Sequence, residues 1–102
     1  MSSLREKAVE AVKQMLSRAY EEREGAYTLV VGELKDARVV ICVSDSYAKV
    51  VLESDVAVLD CEEIEYQPHG LYAFADNYAE LARKAIEKAE LLIRRGKRPV
   101  GQ

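Results

Sequence analysis

Arg38-Val39-Val40-Ile41-Cys42-Val43-Ser44 sets five consecutive apolar residues, four of them β-branched, between an arginine and a serine. A run this short and this rich in β-branched side chains reads as a strand buried on both faces. The rest of the chain then has to supply cover for two sides of a sheet.

Working outward, Tyr27–Leu34 takes up a period of two and reads as the preceding strand, joined through a tight turn at Lys35-Asp36. On the other side Asp45-Ser46 turns the chain into Tyr47–Leu52. There Ala48, Val50 and Leu52 share one face, and Tyr47, Lys49 and Glu53 share another that alternation marks as wet. Ser54-Asp55 turns again into Val56–Cys61, read as a fourth strand. Glu62–Gln67 alternates as well and reads as a short fifth strand or an edge, ended by Pro68-His69-Gly70. Connections this short permit only antiparallel hairpins, because a parallel crossover needs a dozen residues or more.

Helical periodicity flanks the meander. Ser3 and Glu6 form a capping box, apolar residues recur at three and four from Ala8 through Tyr20, and Gly25 supplies a left-handed stop, so the first helix is expected to run to Glu24. Leu71–Ala75 reads as an apolar linker. Asp76 then caps a second helix whose inward residues include Leu81, Ala82, Ala85, Ala89, Leu92 and Ile93. The predicted fold class is α+β: an N-terminal helix, a four- to five-stranded antiparallel β-meander and a C-terminal helix. It forms one domain over residues 1–102, with a flexible basic tail at 96–102.

Two helices cover a sheet completely only if they lie on opposite faces. If they share one, the other face carries an apolar patch that a second copy would cover, and a homodimer is the expectation drawn from this.

The chain is 49% hydrophobic and 32% charged, against about 25% charged in an average soluble protein. That excess fits a heat-adapted source and also fits ordinary helical surfaces. The N-terminus runs straight into charge and no apolar stretch is long enough to span a bilayer, so a cytoplasmic protein without membrane attachment is expected. Cys42 and Cys61 have no C-x-x-C spacing, which argues against a zinc or thioredoxin-like motif. A disulfide between them requires adjacent segments and, in a cytosolic protein, a hyperthermophilic source. Between Lys49 and Arg83 lie eight acids and no Lys or Arg, while the remainder carries fifteen Lys and Arg and ten acids, so an acidic middle is flanked by basic ends.

No phosphate-cradling glycine motif occurs, and no cofactor, metal ligand or catalytic residue is assigned. The acidic run Asp60–Glu65 reads as a solvated strand edge, with Glu63 and Glu65 outward. His69 stands alone, without a nucleophile elbow to make a Cys-His pair credible. The favoured reading is a self-associating protein–protein interaction or regulatory module. The first alternative is an accessory nucleic-acid-binding protein using Arg94, Arg95, Lys97 and Arg98 at the end of the second helix. The second is an enzyme or small-ligand binder with a site near Tyr66, His69, Tyr72 and Asp76, where an aromatic loop leads into that helix.

Overall fold

The computed structural model describes residues 4–96. Its elements are α1 (Leu4–Met15), β1 (Ser17–Glu24), β2 (Tyr27–Leu34), β3 (Ala37–Val43), β4 (Tyr47–Leu52), a 3-10 turn (Glu53–Asp55), α2 (Cys61–Glu65), β5 (Leu71–Phe74) and α3 (Tyr78–Gly96). The five strands form one antiparallel meander in the order β1-β2-β3-β4-β5, with long helices before and after it. The α+β fold is as expected, and β3, which holds the run Val39–Val43, is the central strand. Ser3, and the tail beyond Gly96, lie outside the described residues.

The strand assignments differ from the periodicity at both ends. The first helix stops at Met15, and Ser17–Glu24 is a strand rather than its last turns. Val30 and Val31 on β2 are both fully buried and point to opposite faces, so β2 needs a neighbour on its outer edge, and β1 fills that position. A register shift between Ser17 and Tyr20, with Arg18 at φ 53, lets the chain leave the helix and turn into the sheet. Gly25, expected as a helix stop, instead occupies the β1–β2 hairpin turn with φ 63.

Residues 56–61 are not a strand. Asp60 accepts the Glu62 N–H at 3.0 Å and starts the five-residue helix α2, with Glu62 and Glu63 in its first turn. The expected outer strand edge at 62–67 is therefore the end of a helix, which stops at Glu65, and a turn, and the true fifth strand is the apolar segment Leu71–Phe74. At the start of α3 the cap is Asn77, whose Oδ1 accepts the Glu80 N–H at 2.9 Å, and Asp76 precedes it unused.

Both long helices lie on one face of the sheet. Ala8, Val9 and Val12 of α1, Leu16 just after it, and Leu81, Ala82, Ala85, Ala89, Leu92 and Ile93 of α3 pack on Val30, Val39, Ile41, Val43, Ala48, Val50 and Ala73. The alanines of α3 present no bulk, so the two helices pack against each other as well as against the strands. Gly32 on β2 admits Leu16, since a Cβ there would stand 2.8 Å from the leucine Cβ.

The opposite face carries a smaller second core: Leu29, Val31, Val40, Cys42 and Val51, covered by Cys61 and Ile64 of α2 with Val56, Leu59 and Tyr27 at its margin. A disulfide joins Cys42 on β3 to Cys61 at the start of α2, with 5.6 Å between their Cα atoms. The choice between opposed helices and a second copy thus has a third solution: the 56–66 segment folds back and covers that face. The argument for a dimer from an uncovered apolar face no longer applies.

Candidate functional site

The cover over the second face ends in a cluster of polar and aromatic groups near one edge of the sheet. Tyr27, Tyr47, Lys49, Tyr72 and Phe74 project from β2, β4 and β5 on that face, following the pairings Lys49 with Tyr72 and Tyr47 with Phe74. Glu65, the last residue of α2, is set down among them. The Tyr27 and Tyr47 hydroxyls both donate to its carboxylate and lie 3.1 Å from each other. Tyr72 Oη donates to the Glu65 carbonyl at 3.0 Å.

Lys49 is only 3% exposed, so the side of β4 expected to be wet is covered at this point. Its ammonium donates to the carbonyls of Glu65 (3.3 Å) and Gln67 (2.5 Å), and it lies over the Tyr72 ring 5.0 Å from the centroid. The Glu65 carbonyl belongs to the C-terminal end of α2 and that of Gln67 follows just beyond it, where a cation complements orphan acceptors and the helix dipole. Burial holds the Lys49 ammonium below the usual lysine pKa. Burial also pushes the Tyr47 phenol upward, aided by neighbouring Tyr72. The connection from α2 back to β5 depends on Gly70, with φ 97, because a Cβ there would stand 2.5 Å from the Val50 carbonyl oxygen.

Tyr47 is the hub of the rings. Tyr72 and Phe74 are each tilted against it at 5.9 Å, Tyr27 meets it edge-on at 6.5 Å, and Tyr72 stacks on Phe74 at 5.9 Å. The outer part of this platform is open: Phe74 is 61% exposed and Tyr66 is 86% exposed. Alongside it a groove of about 310 Å³ runs between β5 and α3, lined by Tyr72, Ala73, Phe74, Lys84, Glu87 and Lys88.

The backbone of β5 is the other component. Tyr47 turns its N–H and C=O toward Ser44, the residue that follows β3, its carbonyl accepting the Ser44 N–H at 2.8 Å and its N–H donating to Ser44 Oγ at 3.2 Å. Antiparallel alternation then gives Ala48 and Val50 the bonds to β5, so Ala73 and Leu71 face β4 while Tyr72 and Phe74 direct their backbone groups away from the sheet. The Phe74 carbonyl is taken by Lys84 Nζ at 3.0 Å. The N–H and C=O of Tyr72 and the N–H of Phe74 point outward from an edge strand whose four side chains carry no charge. The opposite edge, β1, carries Arg18, Glu21, Glu22, Arg23 and Glu24.

Of the residues singled out for a binding site, Tyr72 is part of the platform and Tyr66 stands exposed beside it. His69 and Asp76 are both exposed, His69 in the turn before β5 and Asp76 after it. Arg94 and Arg95 are exposed in the last turn of α3, and Lys97 and Arg98 lie outside the described residues. Phe74, which belongs to the aromatic loop expected to lead into the second helix, joins Tyr72 in the platform, whereas sequence reasoning missed Tyr27, Tyr47, Lys49 and Glu65. The available signal was the pairing of Asp60 with Glu63, a capping-box spacing that turns Asp60–Glu65 from a strand into a helix and carries Glu65 inward. Among the described residues, no group of three or more His, Cys, Asp or Glu side chains is arranged to hold a metal ion, and no helix is long and apolar enough to cross a membrane. Comparison with protein-family models, curated proteins and solved structures finds no match.

Proposed function

We propose that this protein is a self-associating interaction module whose β5 edge pairs antiparallel with the β5 edge of a second copy. The observation that carries this reading is the contrast between the two sheet edges. A long edge strand crowded with charge resists pairing, whereas a short uncharged one with outward backbone groups accepts it. In a two-fold arrangement Tyr72 lies opposite Tyr72 of the second copy, each N–H donating to the other's carbonyl. Phe74 keeps its carbonyl on Lys84. The exposed rings of Phe74 and Tyr66 gain cover, and the β5–α3 grooves of the two copies face one another. Lys84 and Glu87, of opposite sign and one helical turn apart on α3, give the self-complementary pair that a two-fold axis requires. So small a contact belongs to the weaker class of interfaces, with dissociation in the micromolar range.

Sedimentation equilibrium tests the proposal. The wild-type chain is expected to approach twice its 11.4 kDa mass at high micromolar concentration. Phe74→Lys, a change at an exposed position, is expected to stay at the monomer mass with an unchanged melting curve. A wild-type monomer throughout, or a Phe74→Lys dimer as tight as wild type, would remove the reading.

A further inference from the structure

We infer that the Cys42–Cys61 disulfide is a redox latch that controls the aromatic platform beside β5; the inference rests on the self-association reading for its effect on assembly. The disulfide fixes the first residue of α2 to the central strand. The last residue of α2, Glu65, receives the hydroxyls of Tyr27, Tyr47 and Tyr72, and Lys49 holds its carbonyl. One covalent bond at one end of a five-residue helix therefore sets the position of the group that orders the platform at the other.

Besides the disulfide and the hydrogen bonds at Glu65 and Gln67, the hold on the segment is slight. Ile64 is its one other fully buried side chain, Val56 and Leu59 are partly buried, and the Cys61 N–H donates to Glu24 at 2.9 Å. A helix this short has little stability of its own. The strands beneath it are, by contrast, packed on α1 and α3 on the other face. This division lets the cover open while the sheet persists, as a local unfolding unit of lower stability than the core.

The chemistry is thiol–disulfide exchange with a dithiol. One thiolate of the dithiol attacks a sulfur of the Cys42–Cys61 bond as that bond breaks, forming a mixed disulfide and releasing one cysteine thiolate, which takes up a proton. The second thiolate of the dithiol then closes on the first, releasing the other cysteine, so that two cysteine thiols and one cyclic disulfide result. Both sulfurs are buried, Cys42 at 2% and Cys61 at 0% exposure, so exchange proceeds through opening of the segment. In the reduced state α2 is no longer tethered, Glu65 leaves the three tyrosines, and β5 pairing weakens with the loss of the ordered platform.

Hydrogen exchange resolved by peptide, with sedimentation on the same samples, tests this in the oxidised chain, the chain reduced with dithiothreitol, and the Cys42→Ala/Cys61→Ala variant. The expected result is exchange over 56–69 faster by about tenfold or more in both disulfide-free samples, with β2 and β3 amides unchanged. Dimer dissociation is expected to rise by a similar factor. Unchanged exchange over 56–69 would overturn the latch, and so would an equal rise over β2 and β3, which marks a staple for the whole domain. Release of 56–69 with no change in dimer dissociation would overturn the coupling to assembly. An oxidised chain that stays monomeric while 56–69 is released on reduction would instead support the latch and remove the self-association reading.

Discussion

Lys49 shows how a single residue acquires a meaning that its neighbours in sequence do not give it. Its alternation with Val50 placed it on an exposed face, but the covering segment encloses it and gives its ammonium two carbonyls and a ring. Because burial lowers its pKa in the folded chain from 10.5, the unfolded chain binds the proton more tightly, and stability rises with pH between the folded value and 10.5. Tyr47 acts in the opposite sense. Its pKa is raised above 10.0, so the neutral phenol favours the fold up to that pH and the benefit is lost beyond it. Lys49→Met removes the first effect and keeps the second. At pH 7 it is expected to destabilise the chain by about 1–3 kcal/mol, because the Glu65 and Gln67 carbonyls lose their donor. Urea midpoints from pH 7 to 10 should rise more for wild type than for the variant, and parallel curves would show that Lys49 does not titrate as described.

At the level of elements, the covering segment divides into residues that hold it down and residues that merely connect. Ile64 is fully buried and Val58 is 57% exposed, although both are β-branched aliphatics six positions apart. Ile64→Ala is expected to cost about 2–4 kcal/mol, and Val58→Ala less than about 0.5 kcal/mol, measured from denaturant midpoints. Equal costs would mean that α2 is not the cover described. The same segment shows where the sequence was legible. The central hairpins were readable because β2, β3 and β4 are long, β-branched and separated by two-residue turns, a signal that needs no tertiary context. Ser17–Glu24 was not, because Glu and Arg are good helix formers and only the demand of β2 for an outer partner makes them a strand. Val56–Glu65 was misread for the reverse reason: local alternation imitates a strand, while Asp60 capping and the inward spacing of Cys61 and Ile64 select a helix. The disulfide followed from that choice, since only α2 brings Cys61 over Cys42.

For the molecule as a whole, the two sheet edges determine how far association can go. A chain with two open edges can pair at both and extend without limit, whereas one open edge closes after a single two-fold contact. Here β5 offers the open edge, and the charges on β1 shield the other. Lys13 adds to that shield by pairing with Glu21 at 2.9 Å, tying β1 to α1. The number of copies in the proposed assembly is thus encoded on the strand farthest from its interface. Glu22 and Arg23 are exposed on β1, so replacing both with valine should leave the core intact while giving this edge higher strand propensity and two fewer charges. The expected result for Glu22→Val/Arg23→Val is a sedimentation distribution extending beyond the dimer with rising concentration. Adding Phe74→Lys to the same chain closes the β5 edge and should return the distribution to dimers at most, now formed through β1. A double variant with the wild-type distribution would show that charge on β1 does not limit assembly, and continued growth of the triple variant would place the contacts elsewhere than on the sheet edges.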